Sequence, residues 1–167
     1  MGTRNLTKVI DAQGVVKVAQ YGQWDGYPSG QGVTALYHAH NAKLIERGLA
    51  RVRWATQDEL DNIYKLYPEM NYLGTDDSNN FGLHYPNLTR DTGADILGVV
   101  AYSVGEVLLV DQSAFEMDDL FCEGVYTIDF QRGKFSSNYN DLVVEFDLDN
   151  LPDQTEYLRA FAEHAEA

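Results

Sequence analysis

The chain has 167 residues, 44% of them hydrophobic, and a formal net charge of −14. That length and apolar share fit one folded domain, expected to span residues 1–167, and exclude a disordered chain. The excess of acid disfavours direct nucleic-acid binding and attachment to an anionic membrane.

Residues 4–10 and 15–21 read as two strands joined at Gln13–Gly14. Val33, Leu36, Tyr37, His40 and Leu44 recur at helical spacing. They predict a helix over 31–47, with Ser29 as its N-cap and Gly48 as its stop. Thr56-Gln57-Asp58-Glu59 is a capping box. It predicts a helix over 57–67 with Leu60, Ile63, Tyr64 and Tyr67 on one face and Pro68 at its end. Residues 71–90 are polar and turn-rich, a loop of the length that often carries function. Thr92-Gly93-Ala94-Asp95 reads as a further helix start leading into Ile96, Leu97 and Val100. Three strands are expected over 106–111, 124–131 and 141–147. A last helix is expected over 152–165, with Pro152 in its first turn and Leu158, Phe161, Ala162 and Ala165 on its apolar side. This order predicts an α+β domain whose mainly antiparallel sheet is flanked by helices.

The stretch from Gln20 to Gly32 holds Tyr21, Trp24, Tyr27, Pro28 and four glycines between a strand and a helix. A connector of that composition presents flat apolar faces, the Asp25 carboxylate, the Gln23 amide and backbone N–H groups, as a pocket wall does. At a helix start, Ser29 and Gly30 would let an anion approach free N–H groups. The faces of Trp24, Tyr21 and Tyr27 suit a base or sugar ring, with ordinary packing as the alternative. Asp25 suits an Asx-turn, a hydrogen bond from a ribose-like hydroxyl, or a general base. Arg90, Asp91 and Thr92 stand at the second helix start. Arg90 can grip an oxyanion, and Asp91 would orient it or cap the helix. Arg4, on an apolar-leaning strand, needs a partner. Asp25 and Asp91 are the candidates, as a structural ion pair or as a ligand clamp.

His38 and His40 point to opposite sides of a helix, and His84 and His164 lack companions at ligand spacing. Asp76-Asp77 and Asp118-Asp119 do not fit a calcium loop. No metal and no cofactor are expected. Cys122 is the one cysteine and is expected to pack inside. No secretory segment or 18-residue apolar run is present, and Leu6 breaks the myristoylation pattern, so a reducing, cytoplasmic setting is expected. Residues 1–105 hold nine basic and eleven acidic side chains, whereas residues 106–167 hold three basic and fifteen acidic. The acidic half suits a solubilising face or a surface that meets a basic partner.

Four stretches occur together in order: Met1-Gly2-Thr3-Arg4-Asn5-Leu6-Thr7, Trp24 to Gly30, Arg90 to Leu97, and Leu120-Phe121-Cys122-Glu123. Together they resemble a family found in tailed-phage and fungal sequences, over nearly the whole chain. The resemblance implies a phage-type accessory protein in the host cytoplasm, with an anti-defence role and a small anionic, nucleotide-like ligand. Relatives that begin Met-Cys-Thr-Arg are similar in turn to class II amidotransferases of the N-terminal-nucleophile kind. That likeness implies a hydrolase with a layered sheet, by fold analogy. Here Gly2 stands at the nucleophile position. Three readings follow: a ligand-binding protein, a hydrolase or lyase using Asp25 or Thr3, and an acidic protein that blocks a basic host surface. The expected partners are thus a small anionic ligand or a basic host protein, with homo-oligomer formation left open.

Overall fold

The computed structural model describes residues 2–66 and 84–166, with side chains as far as residue 163. The elements run β1 (Asn5–Ile10), β2 (Val16–Gly22), a π-helical turn (Pro28–Gly32), α1 (Val33–Ala39), α2 (Ala42–Gly48), β3 (Val52–Trp54) and α3 (Gln57–Lys65). They continue with α4 (Ile96–Tyr102), β4 (Val107–Leu109), β5 (Gly124–Asp129), β6 (Lys134–Tyr139), β7 (Leu142–Asp147) and α5 (Gln154–Glu166).

Five strands form one sheet in the order β2-β1-β5-β6-β7. The β1–β2, β5–β6 and β6–β7 pairs are antiparallel, and β1–β5 is parallel. The fold is therefore α+β with a mixed, mostly antiparallel sheet. The β1–β2 turn closes because the Asp11 carboxylate accepts the N–H groups of Gln13 and Val15, each at 2.9 Å, while Gly14 takes φ 83°. The β6–β7 turn needs two left-handed residues, and Asn140 and Asp141 supply φ 50° and 68°.

Side chains alternate along each strand. Val9, Val18, Ile128, Phe135 and Val144 point to one face and join Leu36, Ile96, Leu97, Val100, Tyr157 and Phe161 in a single buried core. Each large side chain so buried stabilises the fold by about 1.5–3 kcal/mol. The opposite face at β6–β7 carries exposed ion pairs, Arg132–Glu145 at 2.8 Å and Lys134–Asp147 at 2.5 Å, which contribute little to stability. A parallel pair, β3 beside β4, forms a separate two-stranded patch. No helix among the described residues is long and apolar enough to cross a membrane.

Several elements differ from expectation. The single helix expected over 31–47 is three pieces: the π-helical turn, α1 and α2, with a break at His40–Asn41 where Asn41 leaves helical geometry. The buried side of α1 is Ala35, Leu36 and Ala39, and Tyr37 faces solvent. Strands β3 and β6 were not expected. In β6 only every second residue, Phe135, Ser137 and Tyr139, lies on the inner face, and two of its outward residues are Ser136 and Asn138. The Thr56–Glu59 capping box forms as expected, with both reciprocal bonds. Tyr67, Pro68 and the loop residues 71–83 lie outside the described residues. Pro152 precedes α5 rather than entering it, and Asp153 caps the helix by accepting the Glu156 N–H at 2.8 Å. The sequence reading also missed Tyr157, which is fully buried and donates to Ser137 Oγ at 2.9 Å, while Ala162 is exposed.

Gly48 shows where the helical layer is tightest. A Cβ there would sit 2.1 Å from the Val100 carbonyl oxygen. Gly48→Ala gains roughly 0.5–1 kcal/mol of helix preference, but the overpacking costs about 1–3 kcal/mol, so a net loss of stability is expected in urea unfolding. Gly105→Ala, where a Cβ meets nothing within 4 Å, is the control and should leave the midpoint nearly unchanged.

Candidate functional site

The parallel β1–β5 pair begins at one end of the sheet, where β2 also ends. Residues 2–4, 22–27 and 121–124 therefore meet there. The loop after β2 is fastened at several points. Gly26 donates to Thr3 O at 2.9 Å, and its carbonyl accepts the Tyr126 hydroxyl at 2.5 Å. Asn5, fully buried, aims its Nδ2 at the carbonyls of Thr3, Gly22 and Trp24, each at 3.2 Å. Gln31 ties the loop to the second helix start. Its Oε1 accepts Ala94 N–H at 2.7 Å, and its Nε2 donates to Trp24 O at 3.3 Å. Asn5, Gln31 and Tyr126 were missed by the sequence reading. A buried amide in a strand, or a glutamine between two glycines, carries no local signal of such reach.

Four of the expected site residues come together here. Gln23 N–H donates to Arg90 O at 2.9 Å, and the Gln23 side chain accepts the Tyr21 hydroxyl. The Trp24 indole is 43% exposed, and its Nε1–H donates to Asp91 Oδ1 at 2.7 Å. The Arg90 guanidinium lies over the indole, 5.8 Å from its centroid. Asp91 therefore orients Trp24, rather than capping the helix or holding Arg90. Among the described residues, no carboxylate lies within ion-pair distance of Arg90. Tyr27 stands exposed farther along the same loop.

The remaining candidates have other roles. Arg4 pairs with neither Asp25 nor Asp91. Its guanidinium stacks on Phe121 at 4.7 Å, and its backbone N–H donates to Glu123 Oε2 at 3.2 Å. Ser29 is not an N-cap. The turn begins at Tyr27 without a side-chain cap, and Ser29 lies exposed inside it. The expected cradle of free N–H groups is largely spent, because Gly30 and Gly32 donate to Tyr27 O and Gln31 donates to Asp25 O. Gly30 is instead a packing residue, since a Cβ there would sit 2.2 Å from Asp25 O. The Thr92 hydroxyl donates to Pro86 O and closes the turn before α4.

Position 2 is also a packing position. A Cβ on Gly2 would fall 2.0 Å from Gln23 O and 2.7 Å from the Trp24 ring. Cys122 is half-buried, not interior, and its thiol is pushed up to about 11, chiefly by burial and then by Glu116, Asp118 and Glu123. It is protonated at neutral pH and a poor nucleophile. His38 Nε2 sits 3.0 Å from Asp95 Oδ1, and His40 Nε2 sits 3.1 Å from Pro152 O. Among the described residues, no group of three His, Cys, Asp or Glu side chains converges. No protein-family model, curated protein or solved structure matches this chain.

Asp25 has φ 56°, in the left-handed region, and an exposed side chain. Its conformation rather than its charge should matter to folding. Asp25→Asn is expected to leave the urea midpoint unchanged, because asparagine tolerates this region. Asp25→Val should lose about 1–2 kcal/mol. Equal losses for the two variants would show that the carboxylate itself holds the loop.

Proposed function

We propose that this protein binds a small anionic, nucleotide-like molecule at the Trp24–Arg90 surface. The observation that carries the reading is the Arg90 guanidinium over a half-exposed indole, with no carboxylate within ion-pair distance among the described residues. Among the described residues, Lys8, Arg53, Arg132 and Lys134 have a carboxylate within ion-pair distance, whereas Arg90 lies against the Trp24 ring instead. A guanidinium left open beside an exposed aromatic face suits a ligand that combines a flat ring with an anionic group. The ring would stack at Trp24, whose orientation Asp91 fixes, and the anion would take the Arg90 fork. Gly2 has no nucleophile and Cys122 is protonated, so neither supports turnover. A hydrolase or lyase using Asp25 or Thr3 is the rival reading, and conversion of the nucleotide by the protein would favour it. The resemblance to phage and fungal sequences extends the proposal to an accessory role, in which the ligand is a signal nucleotide of host defence.

Thermal unfolding with cyclic dinucleotides, ADP-ribose derivatives and neutral sugars tests the reading. A nucleotide at ~100 times its Kd should add about 2.7 kcal/mol to stability and change Trp24 emission. Arg90→Ala should weaken that binding by about 1.5–3 kcal/mol while the melting of the free protein is kept. A clear shift with neutral sugars and none with any nucleotide would sink the proposal. Unfolding by Arg90→Ala would instead make Arg90 a structural residue.

A further inference from the structure

The segment between β4 and β5 leaves an apolar knuckle in the open. Met117 and Leu120 are 81% and 78% exposed, and Phe121 is 44% exposed. Apolar residues exposed singly need no explanation, whereas a group of three in one turn does. The turn that carries them is fastened. Asp118 Oδ1 accepts the N–H groups of Leu120 and Phe121 at 3.2 and 3.0 Å, and the Asp118 carbonyl accepts the Cys122 N–H at 2.9 Å. Just upstream, Phe115 meets the Tyr21 ring edge-on at 4.9 Å, and Glu116 holds Lys8 at 2.7 Å. A surface held ready in this way loses little freedom when a partner covers it.

Beside the knuckle, on the sheet face opposite the core, lies a groove of about 180 Å³. Glu116, Asp119, Glu123, Val125, Asn138 and Asp141 line it. Val125, Asn138 and Val143 are neighbours across β5, β6 and β7, so the row that floors the groove ends at the half-exposed Val143. The groove is smaller than the ~300–1,000 Å³ of small-molecule pockets and suits one inserted side chain. Asp119 and Asp141 have no ion pair among the described residues. Of the nearby cations, Lys8 is taken by Glu116, and Arg4 lies on the Phe121 ring at 4.7 Å. The Cys122 thiol lines the same groove. It is pushed up to about 11 by burial and then by Glu116, Asp118 and Glu123, with Lys8 opposing, so the local field is negative. No three of these carboxylates converge as ligands of a metal ion would. Charge spread along a groove suits an arginine fork or a lysine on its long stem.

We propose that the knuckle and groove form a docking surface for a basic, amphipathic segment of a partner protein. An arginine or lysine enters the groove, and its apolar neighbours cover Met117, Leu120 and Phe121. Charge complementarity selects this occupant. A second copy of this chain would bring another net charge of −14, and anionic membranes and nucleic acids are repelled by the same carboxylates. The surface uses neither Trp24 nor Arg90, so it stands apart from the ligand reading above.

Fluorescence anisotropy of the full chain with three labelled peptides of equal length tests this. One alternates arginine and leucine, one arginine and serine, and one glutamate and leucine. At about 0.15 M salt the arginine–leucine peptide should bind about tenfold or more tighter than either control. Leu120→Ser, at an exposed position, should weaken it about tenfold. Asp119→Asn with Asp141→Asn should weaken it about fivefold and flatten its salt dependence. Asparagine is tolerated at Asp141, where φ is 68°. Glu46→Gln with Glu163→Gln removes the same charge from α2 and α5, which pack on the core face, and should change binding less than about twofold. No binding of the arginine–leucine peptide overturns the proposal. Equal binding of both arginine peptides, binding untouched by Leu120→Ser, or equal effects of the two double variants also overturns it, and leaves only the attraction of an acidic chain for any cation. A dimer that Leu120→Ser dissolves overturns it in favour of self-association.

Discussion

Gly26 is held on both sides: its N–H by the Thr3 carbonyl at 2.9 Å, its carbonyl by the Tyr126 hydroxyl at 2.5 Å. Tyr126 reaches it from the middle of the sheet, where the phenol is 1% exposed. Burial drives its ionisation far above the ordinary phenol range, so the hydroxyl remains a donor throughout the pH range of folded proteins. Glycine is required at this end of the sheet. A Cβ on Gly26 would meet Thr3 O at 2.5 Å, and one on Gly124 would meet Gly26 O at 2.3 Å. The position of Trp24 follows from this anchor, because the loop leaves β2 at Gly22 and is pinned again four residues later. The indole, the Asp91 carboxylate that orients it and the Arg90 guanidinium above it all depend on where that pin places the chain.

Charge is distributed to match. The acidic second half forms β5, β6, β7 and α5, and some of its carboxylates are answered by Lys8, Arg132 and Lys134. At the site-bearing end, Arg4 and Arg90 are answered by aromatic faces instead. A guanidinium on a ring keeps its edge N–H groups available, whereas one in a bidentate pair does not. Arg53 illustrates the second case, gripped by Glu59 and Glu106 with the Glu59 carboxyl held down at about 2. An anionic ligand is repelled at long range by a net charge of −14, so its capture depends on contact-range bonds of the Arg90 kind.

The sequence made the local signals legible. The first hairpin, the Thr56–Glu59 box and the helix after Thr92 carry their information within a few residues, and they fold as that information directs. The α+β class followed from their order. The aromatic loop and Arg90–Asp91 could be named as candidates because of their composition. Their connection could not, since Trp24 meets Asp91 across 67 residues of chain. The same limit hid Tyr126, which acts on Gly26 from a hundred residues away, and Gln31, which joins two loops. Strand β6 was hidden for another reason: its outward positions, Lys134, Ser136 and Asn138, are polar, and of its inward ones only Phe135 and Tyr139 are apolar. Arg4 was assigned a carboxylate because a charge on an apolar strand needs compensation, but the aromatic face of Phe121 supplies it.

Amide hydrogen exchange on the native protein and on Tyr126→Phe tests the anchor most directly. The amides of Gly26 and Gln31 should exchange slowly in the native protein. In Tyr126→Phe they should speed up by about tenfold or more, the equivalent of losing one buried hydrogen bond, while the amides of Val9 and Ile128 keep their relative protection. Unchanged exchange at Gly26 and Gln31 in the variant would contradict the account, because the loop and its indole would then be placed by something other than Tyr126.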